Sequence, residues 1–376
     1  MKVVMLRSNP VLPDPRVEKE SYSLKSKKIN VEILAWDRQA NYKIADDFIM
    51  IKDLVIPIHR FGIQSKFGGG IKVNLIPMIK FQFKIFNWLC RNRNNYDIIH
   101  ACDFDTALIG FICAKLLNKK IVYDIFDYYV DAFTVPNKLK WFIKSIDDFI
   151  ITRANAVIIC TEKRKLQINN RNIKNLVVIH NSPDLFLNNY DELRVDNKNN
   201  KIKVVYVGIL QEGRFIKELI DVIKCRGNCE LHIAGFGILE NYILDISKAY
   251  ENIKYYGKIS YADALELEKQ CDIMTAIYDP KISNHFYAAP NKFYEAFMLG
   301  KPLIMVKDTG MAEFISKYEL GKVIDFNIES LNAAIDGLIE EKERWPIISE
   351  RMKKIYEKNF SWGKMEKRLI NLYRNI

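Results

Sequence analysis

The chain has 376 residues, of which 49% are apolar and 27% are charged, and its formal net charge is +11. This length and composition are typical of a globular protein with two domains of ordinary size. No run approaches the roughly 18 uncharged apolar residues of a membrane-spanning helix, and the apolar stretch at the N-terminus is too short for a signal peptide, so we predict neither.

The first half predicts strands that alternate with helices. Short β-branched runs predict strands at Val3–Leu6, Val31–Ala35, Ile98–Ala101, Ile121–Asp124, Ala156–Cys160 and Val177–His180. Between them, amphipathic patterns predict helices over residues 14–27, 104–117 and 138–153. The alternation is typical of βαβ units.

A basic and apolar segment interrupts this half. The stretch between Asp53 and Asp97 contains no acidic residue. It carries the bases Arg60, Lys66, Lys72, Lys80, Lys84, Arg91 and Arg93, interleaved with Phe81, Phe83, Phe86, Trp88 and Leu89. This composition favours a helix that lies on an anionic membrane surface through residues 60–93. The alternative is a domain helix with an apolar side in the core and a solvated basic side. We predict no nucleic-acid partner, because the basic stretch is local and no reader motif accompanies it.

The second half repeats the pattern after a polar stretch. Strands are predicted at Val204–Val207, Leu231–Ala234, Ile253–Tyr256, Ile273–Ala276, Leu303–Val306 and Lys322–Ile324. Helices are predicted over 217–225, 238–250, 261–270, 292–299 and 311–318, with a further C-terminal helical run. Near-continuous apolar strands indicate parallel sheets covered on both faces. We therefore predict two doubly wound α/β domains, 1–190 and 200–355, with ligands in a cleft at the carboxyl ends of their strands.

Glycines and a cation follow the first strand of the second half. Gly208 lets the backbone approach a ligand, and Arg214 lies at the start of the next helix. A helix N-terminus and a cation aimed at one spot predict an anion site suited to a diphosphate. Gly235 and Gly237 repeat the arrangement after the next strand, but they do not complete a dinucleotide fingerprint.

The segment "YAAPNKFYEAFMLGKPLIM" places Lys292 and Glu295 in the first turns of one helix. Glu295 could accept two hydrogen bonds from ribose hydroxyls while Lys292 faces phosphate. The alternative is a surface salt bridge, with the carboxylate stabilised by the helix dipole. Farther on, Thr309 and Gly310 precede a helix that starts near Met311 and could offer free N–H groups to the same ligand.

Carboxylates follow two neighbouring strands of the first half. His100, Cys102, Asp103 and Asp105 lie at the end of one strand, and Asp124, Asp127 and Asp131 lie at the end of the next. Such groups could hold sugar hydroxyls or accept a proton from an acceptor. The alternatives are helix capping by Asp103 or Asp105 and a core role for His100.

Several other site classes are not predicted. The seven scattered cysteines do not complete a metal site, since Cys225 and Cys229 lack a second pair of ligands. We expect free thiols in a reducing cytoplasm, and no metal or other cofactor. There is no P-loop, no H-E-x-x-H and no Ser-His-Asp order.

Taken together, these motifs resemble the retaining glycosyltransferases of the GT-B fold, the large family-4 group. The resemblance covers nearly the whole chain. It is carried by "NPVLPDPRVEKESYSL", "YDIIHACDFDTALIG", "KKIVYDIFDYY", "VVIHNSPD", "VVYVGILQEGRFIKELIDVI", "FSWGKMEKRLINLY" and, most specifically, "YAAPNKFYEAFMLGKPLI". It implies two Rossmann-like domains facing across a cleft, with the C-terminal helix crossing back so that residues 360–376 complete the first domain.

The resemblance also implies an activity. A nucleotide sugar, with a UDP-sugar favoured, would bind the second domain, and a glycan or lipid-linked acceptor would bind the first. Hexosyl transfer would retain configuration without a metal. It would serve surface polysaccharide synthesis, in the cytoplasm or peripherally at the inner face of the plasma membrane. The alternatives are a nucleotide-sugar epimerase and a non-catalytic nucleotide-sugar binder.

Residue roles follow from the same resemblance. Arg214 and Lys292 would hold the diphosphate and stabilise the leaving nucleotide, Glu295 would hold the ribose, and Asp127 would face the sugar. The remaining donor-side positions are Gly208, Gly235, Gly237, Ile259, Tyr287, Asn291, Thr309, Gly310 and Met311. The acceptor-side positions are Arg16, His100, Cys102 and Asp103. The chain departs from the family pattern at Tyr287, Cys102 and Ile209, where a Glu, a His and an Arg are frequent.

Overall fold

A computed structural model describes residues 1–41, 46–66, 70–132, 137–168, 173–184 and 200–376. The chain divides into two compact units. Unit 1 consists of Met1–His180 with Met365–Ile376, and unit 2 consists of Asn181–Lys364.

Unit 1 contains an eight-stranded sheet in the order β3-β4-β2-β1-β5-β6-β7-β8. Its strands are β1 (Lys2–Arg7), β2 (Asn30–Asp37), β3 (Asp46–Ile51), β4 (Leu54–Gly62), β5 (Ile98–Cys102), β6 (Lys120–Ile125), β7 (Ala156–Ile159) and β8 (Leu176–Val178). Its helices are α1 (Pro15–Ser26), α2 (Gly70–Arg91), α3 (Phe104–Leu116), α4 (Tyr129–Ala132), α5 (Asn137–Arg153) and α6 (Arg164–Gln167). All neighbouring strands are parallel except β3, which runs antiparallel to β4 at the edge.

The β3–β4 hairpin is the main element absent from the sequence prediction. Pro57 lies within β4, opposite Phe48 of β3. A proline lacks the N–H that a strand interior normally donates, so the pattern did not indicate a strand. The six strands that were predicted for this half are confirmed as β1, β2, β5, β6, β7 and β8.

Unit 2 contains a six-stranded parallel sheet in the order β11-β10-β9-β12-β13-β14. Its strands are β9 (Ile202–Ile209), β10 (Cys229–Phe236), β11 (Ile253–Tyr255), β12 (Ile273–Ala276), β13 (Leu303–Val306) and β14 (Gly321–Ile324). The helices that follow β9 are α7 (Ile216–Lys224), α8 (Glu240–Ala249), α9 (Tyr261–Gln270), α10 (Ser283–Phe286), α11 (Asn291–Leu299), α12 (Ala312–Tyr318), α13 (Ile328–Glu340), α14 (Trp345–Ile355) and α15 (Trp362–Asn375). The prediction of two doubly wound α/β domains is confirmed.

The strand order of unit 2 locates its ligand-binding edge. The chain proceeds outward from β9 through β10 to β11, and then returns to the other side of β9 with β12. Helices connected to neighbouring strands at such a reversal leave a crevice beyond the carboxyl ends of the strands. The residues that follow β9 and β12 are therefore the first to inspect for a ligand site.

The last helix returns to the first unit. Residues of α15 from Met365 onward belong to unit 1, and Arg368 Nη1 donates to the Val178 carbonyl over 2.8 Å. The Met365 sulfur accepts the His180 N–H over 3.1 Å, and Tyr373 pairs with His100. These contacts confirm the predicted return of the C-terminal helix.

None of the helices in the described ranges combines the length and apolar character needed to cross a bilayer. All seven cysteines fall within these ranges and are free thiols, of which only Cys225 is exposed.

Candidate anion site of unit 2

The carboxyl end of β9 is built around a glycine. Gly208 has φ +147° and lies opposite Gly235 of β10, where a β-carbon would be 1.8 Å from the Gly208 carbonyl oxygen. A β-carbon on Gly208 itself would lie 2.8 Å from Lys292 Nζ. Glycine at position 208 therefore preserves the space that the lysine ammonium occupies.

Lys292 lies in the first turn of α11, and its side chain is buried. Its Nζ is 4.6 Å from the centre of the Tyr206 ring and has no hydrogen-bond or ion-pair partner among the described residues. Burial alone would lower the pKa of Lys292, but Tyr278, Tyr206 and Glu295 outweigh it and raise the pKa. A buried ammonium without an acceptor is costly, so the site is prepared for an anion.

Arg214 supplies a second cation from the loop between β9 and α7. Its Cζ lies 4.0 Å from the centre of the Tyr278 ring, and its buried Nη1 has no acceptor within the described parts of the chain. The loop after β12 is fastened to this loop because the Asp279 N–H donates to the Gly213 carbonyl over 3.0 Å. Arg214 is close enough to Lys292 to oppose its charge. The two predicted cations therefore lie together.

Glu295 is buried one turn after Lys292, so the alternative of a surface salt bridge is wrong. Tyr261, the first residue of α9, hydrogen-bonds to Glu295. Glu268, at the other end of α9, is also buried, and its Oε2 lacks a hydrogen-bond partner in the described structure. Burial, then the charge of Glu295, raises the pKa of Glu268 well above its usual range, while Lys292 opposes the shift.

Sequence analysis missed Glu268. Its place among the charged residues of "LELEKQ" is typical of a solvated helix surface. The available signal was the stripe Tyr261, Ala264, Leu265 and Glu268, which follows the spacing i, i+3, i+4, i+7 and predicts that Glu268 shares the inner face.

The predicted free N–H group is wrong for Gly310, and the amides of Gly235 and Gly237 also have partners inside unit 2. Gly310 donates to the His285 carbonyl over 2.8 Å, Gly235 to the Gly257 carbonyl over 2.8 Å, and Gly237 to Glu240 Oε1 over 2.7 Å. Each of these three amides therefore has a hydrogen-bond acceptor without a ligand.

The other predicted donor-side residues occupy varied positions. Thr309 is buried, with its hydroxyl bonded to the Val306 carbonyl over 2.6 Å. Asn291 is exposed at the start of α11, and Tyr287 packs edge-on against Phe286. The two remaining positions are the half-buried Ile259, before α9, and Met311, before α12.

In unit 1, buried charged side chains are paired with one another. The Arg16 guanidinium donates to both oxygens of Asp124, over 3.0 and 2.8 Å, and to the Ile179 carbonyl over 2.9 Å. Its Nε also lies 3.2 Å from Glu20. His100 Nδ1 lies 2.5 Å from the Tyr373 hydroxyl. This network connects α1, β5, β6 and the C-terminal helix.

The acceptor-side prediction is therefore corrected for three residues. Arg16, His100 and Cys102 are closed inside unit 1, where the first two have internal partners. Burial raises the pKa of the Cys102 thiol well above its usual range, which leaves it neutral. The alternative of a core histidine describes His100.

The carboxylates of Glu20 and Asp124 and the imidazole of His100 place their ligand atoms within 4.8 Å of one another. This is the one group in the described residues with such spacing. Arg16 already donates to Asp124 and lies beside Glu20, so its positive charge disfavours a cation there. Burial and the charge of Asp124 raise the pKa of Glu20, which favours a shared proton instead.

Asp103 and Asp127 organise the loop that follows β6. Asp103 Oδ2 accepts from Arg7 over 2.6 Å, and its Oδ1 accepts the N–H groups of Phe126 and Asp127 over 2.9 and 3.2 Å. The side chain of Asp103 makes no capping bond to α3, so the capping alternative is wrong for it. Asp127 is exposed and its Oδ1 accepts from Arg164 over 2.8 Å. Sequence analysis missed Arg7 and Arg164, since a lone arginine carries no sign of its partner.

Comparison with known proteins gives one family match, and it falls in unit 2. Residues 190–359 match the family model described as Glycosyl transferases group 1. Sequence comparison with curated proteins finds no significant match.

Solved structures resemble the whole chain. Sucrose-phosphate synthase from Thermosynechococcus elongatus has a TM-score of 0.79 at 14% identity, covering 100% of this chain and 98% of that one. Anabaena HepE with bound UDP-glucose has a TM-score of 0.70 at 15% identity, covering 100% of both chains. A Staphylococcus aureus TarM variant with bound UDP, α-GlcNAc-glycerol and fondaparinux has a TM-score of 0.64 at 12% identity, covering 99% and 100%. At these identities the likeness shows the fold, which is GT-B.

Proposed function

We propose that this chain is a glycosyltransferase whose unit 2 binds the diphosphate of a nucleotide sugar, with a UDP-sugar as the favoured donor. One observation carries the proposal: Arg214 Nη1 and Lys292 Nζ are cationic groups without acceptors, placed together beyond Gly208. A diphosphate supplies the missing oxygen acceptors and the missing negative charge. The group 1 match supports the sugar-transfer chemistry, and the HepE structures with UDP and UDP-glucose support the donor class.

Each side chain has a distinct role in this proposal. Lys292 and Arg214 stabilise the charge that develops on the departing nucleotide, and such fixed cations act strongly in a site that excludes water. Glu295, held by Tyr261, accepts the two ribose hydroxyl protons in hydrogen bonds. Because two side-chain cations serve the leaving group, the reaction needs no metal. Transfer retains the configuration of the sugar.

The acceptor is a glycan or a lipid-linked glycan, and the reaction belongs to surface polysaccharide synthesis at the cytoplasmic side of the membrane. The acceptor class is supported by the ligands of related folds, since HepE holds UDP with glucose and TarM holds α-GlcNAc-glycerol. Asp127, exposed beside Arg164, is the residue of unit 1 proposed to contact the sugar.

Nucleotide binding is the first test. The thermal stability of the full chain would be measured with UDP, GDP, ADP and dTDP and with their common sugar conjugates. A ligand that binds only the folded protein stabilises it by about 2.7 kcal/mol at a concentration 100 times its Kd. We expect one base to give a clear shift, which Arg214→Met abolishes. Arg351→Met is the matched control, because Arg351 is an exposed arginine of unit 2 that donates to the Tyr318 carbonyl.

The fate of the bound sugar separates the three function classes. Transfer of labelled sugar to a glycan or lipid-linked acceptor, with the anomeric configuration read by NMR, confirms the proposal. An epimerised nucleotide sugar formed without an acceptor would identify an isomerase instead. Binding with neither reaction would identify a non-catalytic binder, and no binding of any diphosphate would overturn the proposal.

A further inference from the structure

Three helices of unit 1 form one layer on one face of its sheet. Helix α2 packs against α3, and α3 packs against α5. Inner residues of all three, among them Phe81, Phe111 and Ile150, join the same hydrophobic cluster as Ile99 and Tyr123 of the sheet. The opposite sides of the three helices therefore point away from the sheet, and we name this outer surface the α2–α3–α5 face.

The α2–α3–α5 face is unusually apolar for a surface. Of the 25 strongly exposed large apolar side chains in the described residues, 11 lie on these three helices. The most exposed include Trp141 at 75%, Ile76 at 67%, Leu116 at 67% and Phe83 at 64%. Scattered single exposed apolar residues are ordinary, but a concentration on adjacent helices marks an interaction surface.

The apolar residues of α2 divide between two sides. Phe81, Ile85 and Leu89 are fully buried in the core, as expected for a domain helix. Ile76, Ile79 and Phe83 are exposed, although the packing of α2 does not require apolar residues there. One side of α2 therefore packs in the core, as in a domain helix, and the opposite side is available to a partner.

The charges on this face have one sign. Lys80, Lys84, Lys115 and Arg153 are exposed. The three helices contain three acidic residues, and none is exposed: Asp105 is half-buried, while Asp147 and Asp148 are buried. Asp147 accepts the Tyr123 hydroxyl and Asp148 the Tyr128 hydroxyl. Lys80 and Lys84 have no acidic partner within the described structure, so their charge is available to a partner.

We infer that the α2–α3–α5 face docks on the surface of an anionic lipid bilayer. Trp141, Phe83 and Ile76 would enter the boundary between headgroups and acyl chains, while the lysines meet lipid phosphates. Charge complementarity favours this partner, because the exposed basic charges have no exposed acidic neighbours on these helices and match anionic headgroups. The large apolar side chains among them match the acyl chains that lie beneath the headgroups. This surface includes α3 and α5, beyond the segment 60–93 indicated by sequence. It does not rest on the proposed function, because the anion site lies in unit 2.

The test is flotation of the full chain with vesicles of phosphatidylcholine alone or with phosphatidylglycerol added, at low and high salt. We expect at least ten-fold tighter binding to the anionic vesicles, weakened by salt. The double variant Lys80→Glu/Lys84→Glu should lose at least ten-fold, and Phe83→Ser/Trp141→Ser should lose a similar factor while the remaining binding stays salt-dependent. The matched controls in unit 2 are Lys307→Glu and Ile238→Ser, which change an exposed lysine and a side chain that is 78% exposed.

Three results would overturn the inference. They are the absence of anionic-vesicle binding at low salt, equal loss in the controls, and a dimer in sedimentation that Phe83→Ser/Trp141→Ser dissolves while no vesicle is bound. The last would assign the face to a second copy of the chain. Nucleotide-induced stabilisation is measured on the same variants and should be unchanged, so that loss of membrane binding and failure of the donor site are separate outcomes.

Discussion

Cationic side chains lie near the carboxyl ends of the strands in both units, but they have different partners. In unit 1, Arg16 is bound through three of its nitrogens to Asp124 and the Ile179 carbonyl. In unit 2, Lys292 and Arg214 lie against aromatic rings. An aromatic face attracts a cation without neutralising it or accepting a conventional hydrogen bond. The positive charge of Arg16 is thus paired inside the protein, whereas the positive charges of Lys292 and Arg214 remain available to a ligand.

The comparison teaches how to separate a structural from a functional buried charge. A structural cation has acceptors for its N–H groups inside the protein, and removing it leaves a buried acid unpaired. A ligand-binding cation has none, and removing it harms only the complex. Stability and affinity should therefore respond in opposite ways in the two units.

The largest effect is expected for Arg16→Met. This change leaves Asp124 buried without its cation, and breaking a buried pair from one side costs about 3–5 kcal/mol. The free energy of unfolding from urea denaturation should fall by that amount, while Arg374→Met, an exposed position near the end of α15, should change it little. A loss below about 1 kcal/mol would show that the network of unit 1 is not structural.

Lys292→Met should show the opposite pattern. An apolar side chain of similar length replaces an unpaired buried cation, so the stability of the ligand-free protein should be unchanged or higher. Sugar-transfer turnover should fall about 10²–10³-fold, the range for loss of one charge-stabilising group. Lys307→Met is the control for a lysine of unit 2. Destabilisation with unchanged nucleotide affinity would contradict the comparison, because Lys292 would then be a structural cation.

Gly208→Ala tests the position of the ammonium. The added β-carbon would be 2.8 Å from Lys292 Nζ, and φ +147° is unfavourable for alanine. We expect nucleotide affinity to fall about ten-fold, with a stability loss of about 1–3 kcal/mol from backbone strain. Isothermal titration calorimetry measures the affinity. Gly227→Ala is the matched control, because a β-carbon there meets no atom within 4 Å.

Much of the fold could be predicted from the sequence, because unit 2 is built from buried parallel strands. The bounds of β12, β13 and α9 match the predicted residues, since each is a clear periodic or apolar run between polar residues. The edge hairpin β3–β4 escaped prediction because Pro57 breaks its pattern. Edge elements carry weaker burial signals than central ones.

The sequence predicted which cationic side chains form the site, but not the residues that surround them. Loop position and the family resemblance pointed to Arg214 and Lys292. The rings of Tyr206 and Tyr278, which hold these cations without pairing them, are brought there by tertiary packing and carry no local pattern. For the same reason, sequence could not show that Arg16 and Asp124, 108 residues apart, satisfy each other.

The smallest effect, a change in the pH dependence of stability, is expected for Glu268→Gln. This substitution tests whether Glu268 is neutral and so leaves Lys292 unpaired. Burial, and then the charge of Glu295, raises the pKa of Glu268 above the 4.5 of an unperturbed Glu. The folded protein therefore holds a proton that the unfolded chain has released, and this contribution to stability declines as pH rises from about 4.5 toward the folded-state pKa. Glutamine keeps the neutral state at every pH. The melting temperatures of the two proteins should agree near pH 4 and diverge at higher pH, with the variant more stable.

Glu266→Gln, on the same helix, is the control, because Glu266 pairs with Lys269 at the surface. If Glu268→Gln were instead the less stable protein at pH 8, Glu268 would be ionised and would neutralise Lys292. The contrast between the units would then fail, since both would hold their buried cations by internal acids. If it is the more stable protein, the neutral Glu268 explains how unit 2 keeps a positive charge beside two carboxyl groups and leaves it for a diphosphate.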